Sequence, residues 1–240
     1  MNIVAIIQAR YNSTRLPNKT MFKLKKKTIL KHVLDRCKEI NNVEQVCCAI
    51  SDDKKSDIIA KEALNSKVKI FRGSERNVLK RYYDAANFMK ADVILRVTSD
   101  CPLIDPLICE QVINNLLSKK ADYSCNNLPP TWPHGLDCEA FSFKWLKKAY
   151  QSAKKPFDLE HVTPFIRNNK NSKIVNLECF KGNFKKLRWT LDTVEDLKFF
   201  TTLFSYMNKN DLSWEYPLSI INSYPEISNI NLNSTDKNRL

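Results

Sequence analysis

Short apolar runs alternate with stretches of helical spacing along the first half of the chain. Such runs, bounded by polar turns, are typical of strands that are buried on both faces of a parallel sheet. The predicted strands of this half lie at residues 3–8, 44–50, 68–71, 92–98 and 123–125. The predicted helices lie at residues 28–39, 53–64 and 78–86, and at a fourth stretch that begins with Asp105 and Pro106.

This alternation predicts the fold class. Four successive strand–helix units indicate a doubly wound sheet with right-handed crossovers. We therefore expect an α/β fold, namely a three-layer α/β/α sandwich of Rossmann-like type with a mainly parallel sheet. Sheets of this kind bind ligands outside the carboxyl ends of their strands, so the loops that follow the strands are where a functional site is expected.

The pattern becomes irregular at about residues 126–183, which we interpret as an antiparallel insert that recognises the substrate or forms a dimer contact. Its predicted elements are a strand at 136–143, helices at 143–153 and 158–168, and a strand at 173–180. A strand at 187–191 and a helix at 194–207 follow. The polar tail from Asn229 onward is expected to fray. Because the chain shows no repeats and no convincing linker, residues 1–240 are predicted to form a single domain.

Composition narrows the class of protein. The chain has 240 residues, of which 43% are hydrophobic, enough to bury a full core. No apolar run is long enough to cross a bilayer, and the first strand follows Met1 without room for a signal peptide. We therefore expect a cytoplasmic protein that does not insert into membranes.

The net charge of +13 suggests a nucleic-acid-binding protein as one alternative. However, 29 Lys stand against 10 Arg, and the positive charge is spread along the chain without the aromatic and basic spacing of an RNA-recognition sheet. A diffuse Lys excess is more typical of a solvated surface, and it attracts polyanionic nucleotides by long-range steering. We therefore expect no nucleic-acid partner.

Eight cysteines raise the question of disulfides or a zinc site. The sequence contains no Cys-x-x-Cys pair and no Cys/His cluster with zinc spacing. Several of the cysteines fall within apolar strand or helix patterns, where Cys behaves as a small hydrophobic residue. We expect them to be reduced and structural.

The loop after the first strand carries a candidate phosphate site. Its cations are Arg10, Arg15 and Lys19, and its hydroxyls are Ser13 and Thr14. Arg can fork onto phosphate oxygens, whereas Lys acts as a point charge. Asn18 tolerates a left-handed backbone, and a turn there would aim the following Lys at the phosphates. An exposed basic loop without function is the alternative.

Two carboxylates follow predicted strands later in the chain, Asp100 and Asp192. Carboxylates at such positions suit a hard cation such as Mg²⁺, although an N-cap or turn role is the alternative. Thr193 can cap the helix that follows, with Asp196 at the capping-box position, so we expect Asp196 to be structural. Arg96 lies within a buried strand, where it either pairs with a core carboxylate or faces the site.

Five motifs in order carry a resemblance to a known family. They are Gln-Ala-Arg-Tyr-Asn-Ser-Thr-Arg-Leu-Pro-Asn-Lys (8–19), Arg-Val-Thr-Ser-Asp-Cys-Pro-Leu-Ile-Asp (96–105), His-Gly-Leu-Asp-Cys-Glu (134–139), Glu-His-Val-Thr-Pro (160–164) and Thr-Leu-Asp-Thr-Val-Glu-Asp (190–196). Over roughly residues 1–207 the chain resembles the cytidylyltransferases that include spore-coat polysaccharide biosynthesis proteins. It is more distantly similar to CMP-KDO and CMP-sialate synthetases, whose fold is of the nucleotide-diphospho-sugar transferase (GT-A) type.

The resemblance implies a role for each matching residue. The expected nucleotide-binding positions are Gln8, Ala9, Arg10, Ser13, Arg15, Lys19, Arg96 and Ser99. Arg10, Lys19, Asp100 and Asp192 are expected to be catalytic, and the two aspartates to hold Mg²⁺. The residues expected to face the acceptor sugar are His134, Asp137, Glu139, Glu160 and His161.

The chain departs from the family pattern at a few positions. Asn12 and Asn18 stand where the family usually has Gly, and we expect Asn to preserve the loop because it keeps part of the backbone freedom of Gly. Leu159 stands where the family usually has Arg next to the acceptor, which weakens the case for an acidic acceptor.

The resemblance implies transfer of CMP from CTP to a sugar, such as a 2-keto acid sugar, with release of pyrophosphate in surface polysaccharide biosynthesis. Similar enzymes are often homodimers, so a dimer is expected. The alternative enzyme class is a GT-A glycosyltransferase, which consumes a nucleotide sugar and releases no pyrophosphate.

Overall fold

A seven-stranded sheet forms the centre of the computed structural model, which describes residues 1–13 and 15–234. Thr14 of the predicted phosphate loop and residues 235–240 of the predicted tail lie outside the described residues. The strands are β1 (Ile3–Ala9), β2 (Lys23–Leu24), β3 (Lys27–Thr28), β4 (Gln45–Ser51), β5 (Lys69–Gly73), β6 (Val93–Thr98), β7 (Tyr123–Cys125), β8 (Glu139–Ser142) and β9 (Ile174–Asn176).

Helices connect the strands. They are α1 (Ile29–Lys38), α2 (Asp57–Asn65), α3 (Val78–Phe88), α4 (Pro106–Ser118), α5 (Phe143–Ser152), α6 (Pro156–His161), α7 (Pro164–Arg167), α8 (Val194–Tyr206), α9 (Glu215–Ser223) and α10 (Glu226–Asn229). Short 3-10 turns occur at Lys19–Met21 and Lys54–Ser56. No helix within residues 1–13 and 15–234 is long and apolar enough to cross a membrane.

The strand order is β5-β4-β1-β6-β8-β7-β9, and β2 and β3 form a separate hairpin. β1 pairs in parallel with both β4 and β6, so it lies in the middle of the parallel part. β8 runs antiparallel to both of its neighbours, β6 and β7, whereas β9 is parallel to β7. The predicted mainly parallel α/β fold with an antiparallel insert is therefore confirmed.

Two apolar layers cover the two faces of the sheet. Side chains along β1 alternate between them, because successive residues of a strand point to opposite faces. Ile3, Ala5 and Ile7 pack in the layer that includes α1, α4 and α8, whereas Val4 and Ile6 pack in the layer that includes α3 and α5. All eight cysteines are buried, as expected of small apolar side chains.

Side-chain caps begin the helices at the predicted positions. The Thr28 side chain accepts a hydrogen bond from the backbone N of Lys31, at the start of α1. Asp105 caps α4, where Pro106 is the first helical residue. Thr193 and Asp196 form the predicted capping box at the start of α8.

The structure corrects several element boundaries in the second half of the chain. The predicted helix at 158–168 is two short helices, α6 and α7, because Val162 between them has a positive φ of 71°. The predicted strand at 173–180 contains only Ile174–Asn176, and the one at 136–143 begins only at Glu139.

The segment at 187–191 is not a strand of the sheet. It is extended, but its hydrogen bonds go to loops: His134 donates to the Leu187 carbonyl, and Leu191 donates to the Asp100 carbonyl. Buried Trp189 and Leu191 give it a strand-like apolar pattern. Periodicity reports burial rather than the identity of the partner, which explains the wrong prediction.

The expectation of a fraying tail is wrong for residues 229–234. Asn231 is only 3% exposed, and its side chain donates hydrogen bonds to the Arg188 carbonyl and to Asp196. A polar residue that satisfies buried polar groups is indistinguishable in sequence from one that is solvated.

Candidate active site

A polar cavity of about 310 Å³ opens beside the carboxyl ends of β1 and β6. Its walls come from the loops after these strands, from α3, from α6 and from the extended segment that leads to α8. Each predicted site residue lines this cavity: Gln8, Ala9, Arg10, Ser13, Arg15, Lys19, Arg96, Ser99, Asp100, His134, Asp137, Glu139, Glu160, His161 and Asp192. The structure therefore brings together side chains that lie up to 184 residues apart in the chain.

Lys19 lies between the carboxylates of Asp100, which follows β6, and Asp192, which follows the extended segment 187–191. Its Nζ is 2.5 Å from Asp100 Oδ2 and 2.5 Å from Asp192 Oδ1. The two carboxylate oxygens are thus at most twice that distance apart. Arg15 adds a second cation, with its Nη2 3.3 Å from Asp192 Oδ2.

A tight turn places Lys19 in this position. Asn18 adopts the predicted left-handed conformation, with φ of 56°, and its backbone N donates to the Tyr11 carbonyl. The 3-10 turn Lys19–Met21 follows at once. Asn12, the other Asn in place of Gly, is not left-handed; its side chain donates to Glu75 instead.

The contacts shift the acid–base equilibria of the pair formed by Lys19 and Asp100. Burial lowers the pKa of Lys19, but the two neighbouring carboxylates outweigh it and raise that pKa above its ordinary value. Burial raises the pKa of Asp100, but the Lys19 ammonium outweighs it and holds the pKa well below its usual range. Both groups are therefore charged at neutral pH.

Asp196 fixes the backbone of Asp192 through hydrogen bonds, which is the structural role expected of it. One oxygen of Asp196 accepts from the backbone N of Asp192 and of Thr193. Arg188 forms ion pairs with Asp196 at 2.9 Å and with Asp192 at 3.3 Å. Burial raises the pKa of Asp196, but Arg188 and the other donors outweigh it and leave the pKa lowered.

Glu139, one of the residues that were expected to face the acceptor, has a carboxylate that accepts three hydrogen bonds from protein side chains. Arg96 donates to its Oε2 at 2.5 Å, and Tyr123 and Thr163 donate to its Oε1 at 2.6 and 2.9 Å. Arg96, for which two roles were open, has both: it pairs with this core carboxylate and lines the cavity.

The remaining predicted acceptor residues also line the cavity. His134 Nε2 is 3.7 Å from Asp137 Oδ2, and the ring of His161 packs on Phe157 with centroids 4.4 Å apart. Glu160 is exposed on α6. Leu159, which stands in place of the usual Arg, packs against the apolar layer under α3 and α5.

A close backbone crossing fixes the position of His134. Gly135 has φ of 113°, and a Cβ added there would lie 2.1 Å from the Trp189 carbonyl oxygen. Trp189 in turn donates its backbone N to the His134 carbonyl. Glycine is therefore required where the insert meets the segment that leads to Asp192.

Two arginines of the cavity wall were not predicted, Arg81 and Arg167. Arg81 is 1% exposed; its Nη1 donates to the Ser74 carbonyl, while its buried Nε has no hydrogen-bond partner among the described residues. A charged residue next to Tyr82 on the apolar face of α3 was the available signal. Arg167 ends a short helix, and its local pattern gives no such signal.

No group of three or more His, Cys, Asp or Glu side chains, within the part of the chain that the structure describes, is arranged to hold a metal ion. Asp100 and Asp192 are a pair of carboxylates rather than a complete protein cage. Any metal bound there takes its remaining ligands from water or from a substrate.

Comparisons with known proteins agree with this geometry. A sequence model of the cytidylyltransferase family matches residues 4–208. The chain is 35% identical over 240 residues to an uncharacterized protein of Methanocaldococcus jannaschii, covering 99% of this chain and 97% of that protein. It is 28% identical over 238 residues to the spore coat polysaccharide biosynthesis protein SpsF of Bacillus subtilis. This match covers 94% of this chain and 96% of that protein.

A solved structure extends the comparison to three dimensions. The structure of a cytidylyltransferase from Leptospira borgpetersenii superposes with a TM-score of 0.91 at 30% sequence identity. The match covers 98% of this chain and 99% of that protein.

Proposed function

The chain belongs to the cytidylyltransferase family and is a nucleotidyltransferase, and we propose that it transfers CMP from CTP to a sugar and releases pyrophosphate. The observation that carries this proposal is the meeting of Lys19 with Asp100 and Asp192 beside two further cations, Arg10 and Arg15. The similarity to the spore coat polysaccharide biosynthesis protein supports a role in surface polysaccharide biosynthesis.

The basic loop would bind the triphosphate. Arg10, Arg15 and Lys19 line the cavity, and Arg and Lys are the side chains suited to phosphate oxygens. Gln8, Ala9, Ser13 and Ser99 also line the cavity and would complete the nucleotide site. In this arrangement the cations compensate the charge that develops on the departing pyrophosphate.

Asp100 and Asp192 are suited to hold Mg²⁺. This ion is commonly bound by one or two carboxylates together with substrate phosphates and water, and Asp100 and Asp192 would supply the carboxylates of that donor set. When bound, Mg²⁺ supplies Lewis-acid stabilisation of the phosphate oxygens and helps to orient the reactants. The chain's own contribution would be the Lys19 ammonium, which lowers the pKa of Asp100 and favours its ionised form, and the Asp196 carboxylate, which accepts from the backbone N of Asp192.

The acceptor would enter from the side of α6. Its oxygen attacks the α-phosphorus of CTP in line, the new P–O bond forms, and the bond to the pyrophosphate oxygen breaks on the opposite side. The proton of the acceptor hydroxyl leaves to solvent or to a nearby base. His134, Asp137, Glu160 and His161 line this side and would orient the sugar, with no covalent bond to the protein.

Pyrophosphate release tests the proposal. The native enzyme is incubated with Mg²⁺ and CTP, UTP, ATP or GTP, each with a panel of neutral, carboxylated and phosphorylated sugars, and products are identified by mass spectrometry. We expect pyrophosphate and a CMP-linked sugar with CTP and one class of acceptor. Pyrophosphate release from none of these mixtures, together with sugar transfer from a nucleotide sugar, would assign the chain to the glycosyltransferases instead.

A further inference from the structure

The C-terminal segment returns to the candidate active site, although it lies beyond residue 208, where the family match ends. α10 packs against α8 and α9, and Ile227 of α10 is buried in the apolar layer. Asn231 follows α10 and is likewise buried. The segment therefore places one amide side chain in the polar network under Asp192.

Asn231 contacts the two groups that support Asp192. Its Nδ2 donates to the Arg188 carbonyl at 3.0 Å and to Asp196 Oδ1 at 2.9 Å. Both amide hydrogens are thereby used. The chain of residues 231–234 is itself fixed, since Ser234 donates its backbone N to the Asn231 carbonyl and its hydroxyl lies 3.3 Å from that of Thr193.

Asp196 transmits this contact to Asp192. Its Oδ1 accepts from Arg188 Nε at 2.9 Å as well as from Asn231. Its Oδ2 accepts from Arg188 Nη2 at 3.0 Å and from the Asp192 backbone N at 2.9 Å. One carboxylate thus orients both the guanidinium and the backbone that carries Asp192.

Arg188 makes the second connection, because its Nη2 is also 3.3 Å from Asp192 Oδ2. Arg188 and Asp196 are both buried, so neither can exchange a lost partner for bulk water at low cost. Removal of the Asn231 amide would leave the Arg188 carbonyl and one lone pair of Asp196 unsatisfied. Arg188 would keep its contacts with Asp196 and His134, but the Asp196 carboxylate, which accepts from the Asp192 backbone, would lose one of the donors that fix its position.

We propose that Asn231 is a positioning residue for cytidylyl transfer, acting through Arg188 and Asp196 to fix Asp192. This inference rests on the proposed function, in which Asp192 holds the metal. Outer partners of a metal-binding carboxylate commonly change metal affinity or activity by about 10- to 100-fold when they are removed. The segment after residue 208 is therefore part of the catalytic apparatus rather than a surface appendage.

The test compares Asn231→Leu with the matched control Asn233→Leu. Leu has nearly the shape of Asn without its donors, and Asn233 is exposed two residues away. With the full chain, CTP and the sugar found above, kcat of Asn231→Leu should fall about 10-fold or more relative to the control. KM for CTP should change less than about twofold, because the hydrogen bonds given for the Asn231 side chain go to Arg188 and Asp196 and not to the described residues of the basic loop.

Hydrogen exchange supplies a readout that needs no turnover. The amides of Asp192 and Thr193 donate to Asp196, so peptides covering 188–196 should exchange faster in Asn231→Leu than in Asn233→Leu. Peptides from β4 serve as the internal reference and should not differ. A purely structural effect would instead raise exchange in both regions.

Equal kcat in the two Leu variants, or equal exchange at 188–196, would overturn the inference. If Asn231→Leu does not fold, kcat and hydrogen exchange are compared between Asn231→Ser and Asn233→Ser. The expected loss of kcat is then smaller, because the Ser hydroxyl keeps one donor. Failure of the native enzyme to release pyrophosphate from CTP would refute the proposed function. The exchange comparison would still decide whether Asn231 positions Asp192.

Discussion

Two ion-pair clusters lie on the same cavity and have the same shortest contact, 2.5 Å. In the phosphate-side cluster, Lys19 stands between Asp100 and Asp192. In the wall cluster, Arg96 meets Glu139. The phosphate-side cluster joins the loop after β1 to residues far away in the chain. The wall cluster joins strand β6 to strand β8.

The difference lies in what else each carboxylate contacts. Glu139 accepts from Tyr123 and Thr163 in addition to Arg96, and it is 3% exposed. The phosphate-side carboxylates share the ammonium of Lys19, a compact cation on a flexible stem that can exchange partners. Asp192 has two further ion pairs, with the half-exposed Arg15 and with the buried Arg188, each at 3.3 Å. We therefore expect two roles for the same distance: the wall cluster should stabilise the fold, and the phosphate-side cluster should take part in the proposed chemistry.

Asp192→Asn should produce the largest loss of activity. The change removes a metal-binding charge but keeps the side-chain shape and the backbone hydrogen bond to Asp196. We expect kcat for pyrophosphate release to fall about 100-fold or more, which corresponds to about 2.7 kcal/mol of barrier.

Glu195→Gln is the matched control, because Glu195 is exposed in the first turn of α8 and lines no part of the cavity. Its turnover should equal that of the native enzyme. Near-native turnover of Asp192→Asn at saturating Mg²⁺ would remove Asp192 from the metal site and erase the contrast between the two clusters.

Lys19→Met should produce the next largest loss. We expect kcat/KM for CTP to fall about 10- to 100-fold, which is the range for the loss of one hydrogen bond to a charged group. Lys19→Arg should recover part of this loss, since it keeps the charge but not the compact shape. The control is Lys26→Met, an exposed Lys on the neighbouring hairpin. Unchanged CTP affinity and rate in Lys19→Met would show that Lys19 is only a counter-ion for the two aspartates.

Only part of the phosphate-side cluster follows a general rule, because the segment before Asp192 is not a strand of the sheet and its role was implied by the family resemblance. The carboxyl ends of parallel strands lie at one edge of a sheet, so polar residues that end successive strands converge. Arg10 and Asp100 end adjacent parallel strands. Thr193 and Asp196 were predictable for a local reason, since the capping box lies within four residues.

The wall cluster could not be predicted in the same way. Glu139, Tyr123 and Thr163 come from an antiparallel strand, a short strand and the loop between two helices, and no periodicity relates them. The break of the helix at Val162 and the burial of Asn231 likewise depend on tertiary packing. Local pattern reports that such residues are apolar or polar, but not which distant group satisfies them.

Arg81→Met tests whether the phosphate side extends to α3. Arg81 lies on the cavity wall, and its buried Nε has no hydrogen-bond partner in the part of the chain that the structure describes, so we expect a bound nucleotide to interact with this guanidinium. KM for CTP should rise about 10-fold, the lower end for a hydrogen bond from a charged group, with a smaller change in kcat. The control is Lys80→Met, because Lys80 is exposed and immediately precedes Arg81 in α3; this variant should leave KM for CTP unchanged. An unchanged KM in Arg81→Met would make Arg81 a structural residue of the Ser74 turn.

Glu139→Gln should have the smallest effect on turnover, less than about threefold per folded molecule, if the wall cluster is structural. Its main effect should be on stability, because Arg96 would remain buried without a counter-charge. Removal of one partner of a buried pair commonly costs about 3–5 kcal/mol, and we expect the lower part of this range since Gln keeps an acceptor. Denaturant unfolding measures the loss, with Glu178→Gln, an exposed site, as the control.

The pH dependence of this stability difference identifies its cause. Burial raises the pKa of Glu139, but Arg96 and the hydroxyl donors outweigh it, so the folded pKa is below the ordinary value. The ionised carboxylate therefore stabilises the fold fully above the unfolded pKa of about 4.3, and this contribution is lost as the pH falls through the folded pKa. The difference in unfolding free energy between the native chain and Glu139→Gln should stay constant from about pH 8 to pH 5.5 and shrink below about pH 4. If this difference in unfolding free energy persists or grows in acid, the charge of Glu139 is not what stabilises the wall cluster. The wall cluster would then need the same activity measurements as the phosphate-side cluster.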